Sequence, residues 1–140
     1  MFEAALVCLA MNIYHEARDQ SFIGQVAVAQ VVMNRVKDKR FPNNVCDVVE
    51  QGPTYSWTED FPVRHRCQFS WFCDGKSDKP KDTQAWDTAR MISFGVLNGN
   101  LDDFVEGSTH YHATYVYPEW ADTKTKVVQI DDHIFYRWEK

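Results

Sequence analysis

At 140 residues the chain is the usual size of one domain and long enough to bury a real core. Hydrophobic residues at 44% and aromatics at 14% point to a folded globule with aromatic surface to spare. Fifteen basic against twenty acidic residues leave a formal charge of −5, which argues against covering nucleic-acid phosphates as the main task.

The first predicted element is a helix over residues 2–17. Its apolar opening, "MFEAALVCLAMN", lacks the basic flank of a signal peptide, contains Glu3, and is too short to span a bilayer. Projected at about 100° per residue, Phe2, Leu6, Leu9 and Ile13 form one stripe, and Ala4, Val7, Cys8 and Met11 cover much of the opposite side. That pattern predicts a core helix packed from several directions. Glu16 follows one turn after Ile13, which sets a carboxyl group beside the apolar stripe near the helix end.

A second helix, "SFIGQVAVAQVVMNRVKDK", is capped by Asp19 or Ser21 and ended by Phe41-Pro42. Its valines would suit a strand, but its length favours a helix, and Gly24 with Ala27 allows close packing. "NNVCDVVEQG" reads as a short helical turn stopped by Gly52-Pro53. Residues 53–80 lack periodicity yet are rich in aromatics, a combination that points to function rather than disorder. "KDTQAWDTARMISFGVLNGN" is a further helix, capped by Asp82 and stopped at Gly99. After Gly107 the pattern turns strand-like in "STHYHAT", "KVVQI" and "HIFYRW". Without repeats, low-complexity segments or a linker, helices followed by short strands predict one α+β domain over residues 1–140.

Four cysteines allow three full pairings, and spacing does not choose among them. Cys8 sits in the apolar helix and reads as a buried small hydrophobe. Cys46, Cys67 and Cys73 lie in loop-like sequence; they hold one bridge if the protein works outside the cytosol and are free thiols otherwise.

Chemistry could reside in three places. Glu16, if desolvated beside its stripe, has a raised pKa and suits general-acid work; the alternative is an exposed helix-end Glu paired with Arg18 or a Lys. His15-Glu16 is not part of an HExxH motif, because Asp19 stands where the second His should be. His110 and His112 share one strand face and could join Cys67 or Cys73 around zinc, but no metal-type spacing accompanies them, so hydrogen-bonded, cleft-lining histidines are the preferred reading. Nothing resembles a serine or cysteine nucleophile signature. Finally, "CQFSWFCDG" and "HYHATYVYPEWA" offer Gln68, Ser70, Trp71, Tyr111, His112 and Trp120, either as aromatic platforms and polar donors for a carbohydrate or as packing for a small core.

The ordered blocks "IYHEAR", "GQVAVAQVVMNRV", "FPNNVCDVV", "CQFSW.CDG", "THYHA..V.P.WA" and "HIFYR" resemble the SleB-type cell wall hydrolases, which include spore-cortex-lytic enzymes and related bacterial and phage proteins. The resemblance runs from about Met11 to Arg137. It implies a lysozyme-like α+β fold, cleavage of peptidoglycan between N-acetylmuramic acid and N-acetylglucosamine, 1,6-anhydro products, and no metal or cofactor. It carries the family's essential Glu onto Glu16. Two departures stand out: many relatives have an acid where this chain has Gln20, and Pro53–Arg66 is longer than usual.

On this reading Glu16 works alone, since Asp19, Glu106 and Glu119 have no sequence reason to be chosen as a second carboxylate. Gln68, Ser70, Trp71, Tyr111, His112 and Trp120 position the sugars, and His110 holds the strand network. The expected partner is the peptidoglycan glycan strand, met by a monomer with no nucleic acid and no stable membrane association. The alternatives are a hydrolytic muramidase, a zinc amidase built on His110, His112 and a cysteine, and a wall-binding module without activity. Action at the bacterial wall, in the periplasm, without an export signal implies phage-type release or a domain excised from a longer protein.

Overall fold

The structure, a computed structural model, describes residues 2–139. Helix α1 (Phe2–Ala17) is followed by α2 (Phe22–Lys37), the short α3 (Val45–Val49) and α4 (Thr83–Leu97). Strands β1 (His110–Ala113), β2 (Thr125–Ile130) and β3 (His133–Arg137) complete the chain. The helices-then-strands order gives the α+β architecture expected from the sequence. Ser21 rather than Asp19 caps α2, its hydroxyl accepting from the Gly24 N–H at 3.1 Å. Asp82 caps α4 as expected. Among the described residues, no helix is long and apolar enough to cross a membrane.

Helix α2 is valine-rich because it lies between two cores. Val26, Ala29 and Val32 pack with Leu9 and Ile13 of α1 and Ile92 of α4. Ala27, Val28 and Val31 face Phe135 of the sheet, Val105 and Ala17. Burial is unbroken from Gly24 to Val32, so β-branched residues are fully used on either side.

Helix α1 meets its expectation only in part. From Leu9 onward it is buried on most sides, but Phe2 and Val7 are about half exposed, at 48% and 49%. Among the described residues the first turns meet α4 and α3: Phe2 meets Phe94 edge-on at 5.9 Å, Ser93 donates to the Leu6 carbonyl at 2.8 Å, and Cys46 lies against the Ala4 carbonyl. The reading of Cys8 as a buried hydrophobe is also corrected, because Cys8 is bonded to Cys46. Helix α3 packs on α1 and brings the two Cα atoms to 5.3 Å, a long-range approach that local sequence does not report. Cys67 and Cys73 form a second bridge, leaving no free thiol among the described residues.

The sheet has the order β1-β3-β2 and is antiparallel throughout. Tyr111 pairs with Phe135 and His112 with Ile134. The β2–β3 turn is Asp131-Asp132, with Asp131 at φ 52°. Gly24 is required beside it, because a Cβ at that position would collide with the Asp131 carboxylate. The carboxylate thus reaches the start of α2 and accepts from the Ser21 N–H at 2.9 Å.

Candidate active site

The C-terminal turn of α1 carries Glu16 to the edge of the core, opposite strand β1. Strand alternation turns Tyr111 toward the helices, where its ring packs on Phe135 at 5.5 Å and His133 at 5.0 Å. From there its hydroxyl donates to Glu16 Oε1. Behind this pair lies Arg35 of α2, only 5% exposed. Its Nε donates to the Thr109 carbonyl at 2.7 Å, and its guanidinium lies 4.9 Å from the Phe41 ring and 5.2 Å from the Phe69 ring. Among the described residues no carboxylate makes a salt bridge to it.

Burial decides the electrostatics of this trio. It raises the Glu16 pKa above the ordinary carboxyl value, and the Tyr111 hydrogen bond and the Arg35 charge only partly oppose it. Burial also pushes the Tyr111 phenol up, helped by the charge and bond of Glu16, and pulls Arg35 down. The carboxyl group is therefore held toward its protonated form while a donor and a cation stand ready for its conjugate base.

Two clefts meet over this helix end. One, of about 310 Å³, is lined by Glu16, Asp19, Ala113, Tyr115, Asp132 and His133. The other, of about 330 Å³, runs past Trp71, Asp74, Lys76 and Asp78. His15 and Arg18 line both, so the clefts join into one groove across α1. His15 stacks on Trp71 at 4.6 Å and 18°, and its Nε2 donates to the Asp78 carbonyl at 2.8 Å. The Trp71 indole N–H donates to Asn12 at 2.9 Å, and the Tyr14 hydroxyl accepts from the Lys81 and Asp82 N–H groups, each at 3.0 Å. Residues 70–82 are thereby clamped onto α1 as the groove's second wall.

This groove belongs to a chain whose residues 19–136 match the family model described as Cell Wall Hydrolase. The chain belongs to that family. A spore cortex-lytic enzyme of Halalkalibacterium halodurans is 30% identical over 128 residues, covering 91% of this chain and 33% of the relative. One from Bacillus subtilis is 26% identical over 91% of this chain and 35% of its own length. The chain thus spans about a third of the curated relatives it matches. The catalytic domain of the germination-specific lytic transglycosylase SleB from Bacillus anthracis superposes with TM-score 0.67 at 25% identity, covering 95% of this chain and 93% of that one. The Bacillus cereus SleB catalytic domain has the same fold, with TM-score 0.67 at 24% identity, covering 96% and 91% of the two chains. The lysozyme-like α+β arrangement implied by the sequence resemblance is the one observed. Glu16 lies just before the segment matched by the family model, so its candidacy rests on its surroundings.

Of the other residues singled out in the sequence, Tyr111 reaches Glu16 and Trp71 lines the groove, although the indole is mostly buried at 8% exposure. His110 and His112 are on the opposite face of the sheet from Tyr111, as alternation requires, and Trp120 packs beside them. There Trp120 packs on His110 and His112 at 5.2 and 5.7 Å, and His112 bonds the Tyr136 hydroxyl at 2.8 Å. They pack against one another on that face and line neither cleft. Burial and the neighbouring Arg35, Lys124 and Arg40 charges pull the His110 pKa to about 4, so it is neutral. Gln68 and Ser70 are exposed and line neither cleft.

The zinc-amidase alternative loses its donors, since Cys67 and Cys73 are bonded to each other and both nitrogens of His112 are engaged. Gln20 is tied to the β2–β3 turn, accepting from the Asp132 N–H at 3.0 Å and donating to its carboxylate at 3.3 Å. An acid at that position would face Asp131 and Asp132, which explains why an amide fits here.

Sequence reasoning missed Arg35, Tyr115, Asp132 and His133. Arg35 had a signal, a lone cation inside the apolar run "VVMNRV". The other three come from segments that only the folded sheet brings to α1.

Proposed function

We propose that this chain, as one catalytic unit, cuts peptidoglycan glycan strands between N-acetylmuramic acid and N-acetylglucosamine as a lytic transglycosylase. The observation that carries the reading is a carboxyl group, Glu16, held toward its protonated form by burial at the floor of an open groove. Glu16 gives its proton to the departing 4-oxygen as the bond to C1 breaks. The resulting carboxylate, bonded by Tyr111 and facing the Arg35 charge, takes the proton of the muramic acid C6 hydroxyl as that oxygen closes on C1. Glu16 ends protonated, so no cofactor is consumed.

The likeness to the catalytic domain of SleB, a germination-specific lytic transglycosylase, supports this reading at the level of the whole domain. Two disulfides support action on the wall side of the membrane, where thiols oxidise. A hydrolytic second reading has its own observation: Asp19 and Asp132 line the cleft with Glu16, whereas Glu106 and Glu119 do not. A hydrolase needs such a partner within about 5 to 10 Å.

Mass analysis of digested, purified peptidoglycan separates the two. Anhydro-muramic ends, lighter by one water than reducing ends, are expected; reducing ends would establish hydrolysis instead.

The groove also predicts the effect of Tyr111→Phe. Losing a hydrogen bond to a charged group should lower kcat roughly 10- to 100-fold. Because that bond pulls the Glu16 pKa down, its loss should move the alkaline limb of the pH–rate profile to higher pH. An unshifted limb would detach Tyr111 from the proton transfer.

A further inference from the structure

Residues 53–66 are given no role by the family resemblance, yet they are ordered. Thr54 bridges Pro62, the Tyr55 N–H donates to the Phe61 carbonyl at 3.3 Å, and the Val63 N–H to the Pro53 carbonyl at 2.9 Å. The excursion holds up Tyr55, Trp57 and Phe61, which are 39%, 74% and 58% exposed. Tyr55 and Trp57 lie 5.8 Å apart and 19° from parallel, with Phe61 at 6.4 Å from Trp57. Three large rings held together in water forgo burial, which is a reason to look for a ligand.

The excursion is fastened to the groove. Arg64 lies so close to Gly75 that a Cβ there would meet Nη2 at 2.5 Å, and the His65 N–H donates to the Cys73 carbonyl at 2.8 Å. Asp74 and Lys76, flanking Gly75, line the second cleft. Charge does not oppose a ligand there. Residues 53–81 carry five Lys or Arg against four Asp or Glu, leaving ten against sixteen for the rest of the chain. The stretch that carries the aromatic face is thus close to neutral in an acidic chain, so an acidic glycan meets less repulsion there than over the rest of the surface.

We infer that the Tyr55–Trp57 pair is a distal sugar subsite, on which the apolar face of an N-acetylhexosamine of the same glycan strand stacks. The inference rests on the function proposed above. A strand long enough to touch both Glu16 and the platform would then be preferred over a short one.

The test uses Glu16→Gln protein and retention on purified sacculi and on glycan strands stripped of stem peptides. Adding Trp57→Ala should weaken retention on both about tenfold, as truncating an exposed Trp anchor does, and Trp57→Phe should recover most of it. Unchanged retention with Trp57→Ala would overturn the subsite, as would a dependence that vanishes on peptide-free strands, which would make the occupant a peptide. In the active chain, Trp57→Ala should lower the ratio of kcat/KM on long strands to that on a soluble tetrasaccharide; an unchanged ratio overturns it. Trp57-dependent retention by a chain that never cuts would keep the subsite and remove the proposed activity.

Discussion

Glu16→Gln is expected to slow the release of soluble fragments from peptidoglycan by about 10²–10⁴-fold while making the fold more heat-stable at neutral pH. Both effects come from one cause. Burial raises the folded-state pKa of Glu16 above its ordinary value of 4.5, so ionising it works against folding. That penalty is absent below the unfolded pKa, grows as pH rises toward the folded pKa, and is complete above it. A neutral amide keeps an acceptor for the Tyr111 hydroxyl and removes the penalty, but has no proton to give. Melting curves of the two proteins should therefore coincide in acid and separate as pH rises, with the variant higher. A variant that melts lower at neutral pH would mean that Glu16 is a structural ion. One that still solubilises walls at the parent rate would end its candidacy as the acid.

Phe135→Ala should cost about 3–5 kcal/mol, the usual range for emptying an aromatic site in a close-packed core. Phe135 is fully buried and lies among Ala17, Val28, Val31 and Val105, between the sheet and α2. For a chain of this size the melting temperature should fall by on the order of 10 °C. Activity should fall further than the folded fraction accounts for, because Phe135 backs the Tyr111 ring that reaches Glu16. Denaturant unfolding combined with activity measured well below the melting point checks both parts. A cost under about 1 kcal/mol would mean that the sheet does not dock on α2 as described.

Helix α1 was legible from its apolar periodicity, and α2 and α4 from their punctuation. Ser21 and Asp82 are caps and Gly99 follows the end of α4, while α2 stops at Lys37, ahead of the Phe41-Pro42 expected to end it. The three strands showed in their β-branched and aromatic runs, close to their observed limits. The histidines shared a face, as alternation required; what alternation alone could not say was which face meets the helices. Cys8 was misread because its partner lies 38 residues away on a helix that packs on α1.

By itself the sequence determined the α+β class, the helix ends, the family resemblance and a carboxyl group beside an apolar stripe, all of which depend on neighbours within a few turns of chain. The tertiary structure decided that Glu16 is desolvated rather than paired with Arg18, that Tyr111 and Arg35 attend it, and that Trp120 and the histidines pack a core behind the sheet. It also joined two clefts into one groove with an aromatic platform fastened to its wall. The division is physical. Propensity and periodicity act along the chain, whereas desolvation and charge act through space, and the distances that set them exist only after the sheet has closed on the helices.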